Sequence, residues 1–255
     1  MLVDTHCHLD VAEFDPDRDA VVARARAAGV AHQVVPAIEA GTWPALQALC
    51  HDSPGLHPAY GLHPTFLDRH QPAHLQQLGD WLERERPVAV GECGLDFYVE
   101  GLDPGLQQSY LDAQLALARE LDLPVIVHAR RAVEQVIAAI RRFGPLRGVI
   151  HSYPGSEEQA RQLWKLGFLL GIGGPVTYTR ARRLHRVVAA VPLEQLLLET
   201  DAPDQPDAEH RGQRNEPARL PLVCAHVARL RGMPPEALAA ATTANARRLF
   251  GLPFP

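Results

Sequence analysis

The chain has 255 residues, of which 46% are hydrophobic and 22% charged, with a formal net charge of -5. Such values suit a globular protein with a sizeable core; they exclude wholesale disorder and any role that coats nucleic acid or anionic membrane through bulk charge. The unusual count is 13 histidines.

Met1-Leu2-Val3 is not a basic stretch leading an apolar one, and Asp4 and His6 come too early for a signal peptide. No apolar run reaches the ~18 residues needed to span a bilayer. Cys7, Cys50, Cys93 and Cys224 are scattered without a CxxC, as reduced buried thiols are. The expectation is a cytoplasmic protein with no membrane contact and no obligate protein partner.

Short apolar runs recur in chain order at Leu2-Val3, Val30 to Val35, Pro58 to Leu62, Val88 to Val90, Val125 to Val127, Gly148 to Ile150, Phe168 to Ile172 and Leu196 to Leu198. That is about eight strands at roughly 32 residues per unit, the spacing of a strand-plus-helix repeat. Runs apolar throughout suit parallel strands buried on both faces. Between them, Asp103-Pro104 opens a helix continued by Leu111, Leu115, Ala118 and Leu121 and stopped at Leu123-Pro124. Glu134 to Phe143 ends at Gly144-Pro145, and Ser156 to Leu166 ends at Gly167. Val223 to Leu230 and Pro235 to Leu249 add C-terminal helices beyond what the repeats require. No linker or composition shift divides the chain. The pattern predicts an α/β fold, a (β/α)8 TIM barrel with extra C-terminal helices, forming a single domain over residues 1–255.

His6 and His8 bracket Cys7 after the first strand, and in an extended chain alternate side chains share a face about 6.6 Å apart, so both imidazoles can converge on one ion. Glu92, His128, His151 and Asp201 each follow another apolar run. In a parallel barrel these ends share one face, where barrel enzymes place their active sites. Taken singly, each could be a hydrogen-bonded core histidine or a capping carboxylate. Together, without a cation, they would bury several titratable groups around one mouth with nothing to offset their desolvation. Six N/O donors are too many for one tetrahedral zinc and suit two divalent cations sharing a carboxylate.

The motifs DTHCHLD (Asp4 to Asp10), GLHP (Gly61 to Pro64), GECGLDFY (Gly91 to Tyr98), LPVIVHAR (Leu123 to Arg130), HSYPGS (His151 to Ser156), ETDAP (Glu199 to Pro203), RNEP (Arg214 to Pro217) and TTANARRLFGL (Thr242 to Leu252) resemble, in order, the TatD family of metal-dependent hydrolases. The resemblance implies a barrel of the amidohydrolase type with metal-dependent DNase activity, often a 3′-to-5′ exonuclease, in the cytoplasm. It implies that His6, His8 and Asp201 bind one cation, that His128 and His151 bind a second, and that Glu92 bridges them. Related hydrolases often bridge their ions with a carbamylated lysine, but Lys165, the lone lysine, falls in a predicted helix. The chain departs from the family at Asp204-Gln205-Pro206-Asp207, where many members have an aromatic, at Thr65, often a second histidine, and at Tyr153, usually phenylalanine.

For a phosphodiester, Asp201 is placed to accept the proton of the attacking water, with Glu92 beside it. His63 after the third strand is expected to touch phosphate or protonate the leaving group; the alternative is a hydrogen-bonded rim histidine. Arg130 and Arg214 are candidate phosphate contacts. Arg180, Arg182, Arg183 and Arg186 either guide a backbone or form a solvated helix face. The glycines from Gly171 to Gly174 lack a phosphate-loop pattern and suit close backbone approach. Strand alternation points Cys7 and Cys93 away from the mouth, and Asp96 either orients a ligand or contacts an arginine.

The leading expectation is a deoxyribonuclease acting at single-stranded or frayed DNA ends with two divalent cations, zinc, magnesium or manganese. The alternatives are a two-metal hydrolase of a small amide, ester or lactone, and a metal-binding protein of low turnover acting through partners.

Overall fold

A computed structural model describes residues 1–253. Its strands are β1 (Leu2–Asp4), β2 (Val30–Pro36), β3 (Leu56–Tyr60), β4 (Ala89–Asp96), β5 (Val125–Arg130), β6 (Gly148–Ile150), β7 (Phe168–Ile172) and β8 (Leu196–Leu198). They pair in sequence order, each parallel to the next. Just beyond the first and last strands, the Thr5 N–H donates to Leu198 O at 3.0 Å, Asp201 N–H to His6 O at 2.8 Å and His8 N–H to Ala202 O at 2.7 Å. These bonds close the sheet into a barrel.

Helices α1 (Arg18–Ala27), α2 (Trp43–Asp52), α3 (Pro72–Glu85), α4 (Pro104–Glu120), α5 (Val133–Phe143), α6 (Glu157–Lys165), α7 (Arg182–Ala190) and α8 (Leu220–Arg231) follow the strands, and α9 (Pro235–Phe250) comes last. Their ends obey local chemistry. Asp103 accepts the N–H groups of Gly105 and Leu106 ahead of α4, and Ser156 and Gln159 form a reciprocal capping box at α6. No helix among the described residues is long and apolar enough to cross a membrane.

The barrel interior is filled by one side chain from each strand: Val3, Val34, Ala59, Ala89, Ile126, Val149, Leu169 and Leu197. The last turn of α9 packs on this set through Ala246, Leu249 and Phe250. The final helix thus plugs the amino end of the barrel, and the carboxyl end stays open.

Three strands differ from their apolar runs by more than one residue. β3 lies two residues earlier than Pro58 to Leu62, because the chain leaves the sheet at Gly61, where a side chain would come within 2.6 Å of the Gly91 carbonyl carbon. β4 and β5 extend to Asp96 and Arg130, since Cys93 to Asp96 pair with Val127 to Arg130. His128 therefore sits inside a paired strand, opposite Gly94, while Glu92 falls at an irregularity between Val90 and Cys93, where its N–H donates to Ala37 O at 3.0 Å.

Candidate metal centre

The structure brings His6, His8, Glu92, His128, His151 and Asp201 together at the carboxyl mouth, with His63 beside them. His6, Glu92 and His151 are buried almost completely, at 0%, 1% and 4% exposure. On one side, His6 Nε2 lies 3.1 Å from His8 Nε2 and 3.1 Å from Glu92 Oε2, while Asp201 Oδ1 lies 3.5 Å and 3.7 Å from the same two nitrogens. On the other, Glu92 Oε1 lies 3.1 Å from His128 Nδ1 and 2.9 Å from His151 Nε2, which are 3.1 Å apart. Glu92 thus turns one oxygen to each group.

The donor chemistry tests whether a cation fits. His8 Nδ1 donates to Pro36 O at 3.1 Å, so in the neutral ring the proton sits there and Nε2 presents a lone pair to the cluster. Glu92 Oε2 has no hydrogen-bond partner although buried. Lone pairs aimed at one another across about 3 Å repel unless a positive centre lies among them, and donors at ~2.1 Å from a cation stand about 3.0–3.4 Å from each other. The spacings therefore fit cation binding on both sides of Glu92.

Behind the donors sit groups that orient them. Asp96 Oδ2 accepts from His128 Nε2 at 2.9 Å, and Asp96 Oδ1 accepts the N–H groups of Tyr98 and Val99 at 2.8 and 3.0 Å. Of the two expected partners for Asp96, the structure shows His128, a candidate ligand, and no arginine among the described residues. Glu199, fully buried, approaches His151 Nδ1 at 3.8 Å and groups with His6 and His151. Its carboxylate occupies space that a side chain at Gly171 would fill, a Cβ there coming within 2.0 Å of Oε2. Sequence reasoning assigned Glu199 no role; the signal was a charged residue continuing the all-apolar β8 run.

His63 stands apart in its protonation. Its Nδ1 accepts the Thr65 N–H at 3.2 Å and lies 2.8 Å from the Thr65 hydroxyl, which puts the proton on Nε2. That N–H faces Glu92 Oε1 at 3.0 Å. A protonated nitrogen has no lone pair for a cation, so His63 is a donor at the edge of the centre, although it groups geometrically with Glu92 and His128.

Electrostatics follow from this crowding. Burial disfavours charge on Glu92, but His63, His151 and His6 outweigh it and hold its carboxyl well below the usual range. Burial likewise opposes charge on His8 and His128, yet Glu92 pushes His8 up to about 10, and Asp96 with Glu92 pushes His128 up to about 9. His6 goes down to about 4, chiefly through burial and then through His151. Burial and the neighbouring Asp201 carboxylate raise Glu199 well above the carboxylate range. The centre demands positive charge, which protons or cations can supply.

Above it opens a cavity of about 1410 Å³, lined by Asp10, Glu39, Arg69, Arg130, Arg180 and Arg183 among others. Arg69 pairs with Glu39 at 2.8 Å and Arg183 donates to Pro154 O at 2.6 Å. Arg130 stacks on Tyr98 at 3.7 Å and Arg180 on Tyr178 at 5.7 Å, with no carboxylate partner among the described residues. Arg214 is not brought to this cavity: both its terminal nitrogens bind Asp17 at 2.8 Å, and it lies over Phe14. Arg182 and Arg186 begin and continue α7 outside the cavity lining.

Imidazoles and carboxylates converging at cation spacing, on the face where barrel enzymes keep their chemistry, define a metal-dependent hydrolase. The chain belongs to the TatD family, since the family described as TatD related DNase matches residues 3–251. It is 43% identical over 256 residues, covering 98% of each chain, to the "Uncharacterized metal-dependent hydrolase YjjV" of Escherichia coli strain K12. It is 36% identical over 258 residues, again 98% of each chain, to the "3'-5' ssDNA/RNA exonuclease TatD" of Klebsiella pneumoniae strain 342. The crystal structure of the Escherichia coli YjjV protein superposes with a TM-score of 0.95 at 41% identity, over 99% of this chain and 98% of that one.

Proposed function

We propose that this protein is a deoxyribonuclease, of 3′-to-5′ exonuclease type, that hydrolyses phosphodiesters at single-stranded or frayed DNA ends. One domain, the barrel, carries the whole reaction, and two divalent cations, zinc, magnesium or manganese, are its cofactors. The observation that carries this reading is Glu92, one buried carboxylate with an oxygen turned to each of two donor groups. The nucleic-acid substrate is supported by the Klebsiella relative's name, by a cavity larger than the roughly 300–1,000 Å³ of most small-ligand sites, and by two arginines at its wall that lack carboxylate partners. A cytoplasmic setting suits four free cysteines.

His6, His8 and Asp201 would hold one cation and His128 and His151 the other, with Glu92 contributing an oxygen to each group. When bound, the pair lowers the pKa of a water and offsets charge on a phosphodiester. Asp201 Oδ1, facing His6 and His8, accepts the proton of the attacking water. His63 Nε2–H points into the centre from the cavity edge and donates to a phosphate or leaving oxygen. Arg130, two residues beyond His128 on the same strand face, binds the phosphate of the adjoining nucleotide. Net charge of -5 disfavours long tracking on duplex and is compatible with a short end held at the cations.

The test incubates metal-defined protein with end-labelled single-stranded DNA beside a panel of small esters, amides and lactones. Nucleotide release abolished in His128→Ala is the expected result. Silence on DNA with turnover of a small ester, amide or lactone would replace this reading with that of a small-molecule hydrolase.

A further inference from the structure

The loop after β8 returns over the mouth through a single side chain. Gln205 Nε2 donates to Asp201 Oδ2, and Gln205 Oε1 accepts the Ser152 hydroxyl at 2.8 Å. Only this orientation of the amide satisfies its carboxylate neighbour, because the reverse would set oxygen against oxygen. Ser152 directly follows His151, and its own N–H donates to Glu199 Oε1. One amide therefore joins Asp201, on the His6 and His8 side of Glu92, to the residue that carries His151 on the other side.

The three linked residues all have left-handed backbones, with φ of 43° at Ser152, 58° at Asp201 and 48° at Gln205. Such conformations disfavour side-chain-bearing residues and persist where surrounding contacts impose them. Those contacts are present. Asn215 Nδ2 donates to Thr200 O and Asp204 O at 2.9 Å each, and Gly174 passes so near that a Cβ would lie 2.2 Å from Gln205 O.

From this geometry we infer that Gln205 is a positioning residue: it holds Asp201 with Oδ1 turned to His6 and His8, and it sets the spacing between the two cation subsites. The inference rests on the two-cation reading above. Gln205→Met keeps the length of the side chain and removes both hydrogen bonds. Gln205→Glu puts an acceptor against Asp201 Oδ2.

The experiment titrates metal-stripped protein with Mn2+ by calorimetry, follows DNA hydrolysis by the loaded enzyme, and records melting without metal. Wild type should bind two cations. Gln205→Met should weaken one step by about 10–100-fold, as loss of a group orienting a ligand does, and leave the other within about threefold. Gln205→Glu should weaken that step further, and in both variants kcat should fall with KM little changed. Two unchanged binding steps in Gln205→Met would overturn the proposal, as would equal weakening of both together with a lower melting point without metal, which marks a packing role. A single cation in wild type would instead refute the two-cation reading itself.

Discussion

Asp96→Asn is the sharpest probe of the candidate centre because it leaves shape intact and changes one proton. His128 Nε2 donates to Asp96 Oδ2 at 2.9 Å, so the neutral ring keeps the lone pair of Nδ1, 3.1 Å from Glu92 Oε1 and from His151 Nε2. An asparagine that still accepts the Tyr98 and Val99 N–H groups must aim its NH2 at His128 Nε2. The imidazole then shifts its proton to Nδ1, the atom that faces Glu92 Oε1 and His151 Nε2. If the amide rotates instead, two backbone N–H groups lose their acceptor and the turn that carries Tyr98 loosens. A hydrogen bond to a charged group contributes about 1.5–3 kcal/mol. Converted at about 1.4 kcal/mol per decade, that is roughly 10–150-fold in affinity, in line with the 10–100-fold typical of groups that orient metal ligands. Chelator competition with Mn2+ should show one cation released at that many times lower chelator strength, with DNA hydrolysis falling in parallel. Cation affinity within twofold of wild type would refute the role given to Asp96 and the tautomer assigned to His128.

Three further outcomes follow from the same geometry. His63→Ala should cut DNA hydrolysis by about 10²–10⁴-fold, the range for a positioned proton donor, while metal content measured by emission spectrometry stays at wild-type level; loss of a cation would make His63 a ligand. In metal-stripped protein His8 and His128 stand at about 10 and about 9, above their ordinary 6.5. Their stabilisation is therefore complete below about pH 6.5 and lost as pH rises through 9 and 10, so the melting point should fall between pH 7 and 10, less steeply with saturating Mn2+. A flat profile without metal would contradict the charge balance described here. Gly171→Ala would drive a Cβ to 2.0 Å from Glu199 Oε2, so calorimetric melting should show a loss of about 1–3 kcal/mol with weaker cation binding. Unchanged melting would mean that Glu199 moves aside freely.

Much of the fold was legible because a barrel strand buried on both faces writes itself as an apolar run. Gly148 to Ile150, Phe168 to Ile172 and Leu196 to Leu198 coincide with β6, β7 and β8. The runs failed where pairing outlasts hydrophobicity. β4 continues past its apolar run through Glu92, Gly94 and Asp96, and after an irregularity at Gly91-Glu92 the residues from Cys93 to Asp96 pair with β5, because ladder hydrogen bonds need only backbone. The plugging role of α9 was also invisible: its sequence shows a helix, but Ala246, Leu249 and Phe250 reveal their target only once eight inward side chains surround a common axis.

Legibility of the candidate site divides along the same physical line. A strand fixes side-chain direction by alternation, so Arg130 could be placed beside His128 from spacing alone, and it does reach the cavity. A loop fixes nothing by spacing. Arg214 follows Asp201 by 13 positions, far enough to hang over the mouth, but Asp17 and the Phe14 ring capture it on the outer side. Gln205 shows the converse: it read as a mere departure from the family, and it turns inward because Asn215 and Gly174 hold its backbone there. The strands and their carboxyl ends thus position the other donors, while the loop after β8 decides how firmly Asp201 is held among them. Since Gln205 and Asp201 share a hydrogen bond, a double variant at these positions should show non-additive losses in cation affinity, whereas a variant at Arg214, bound elsewhere, should add independently to either.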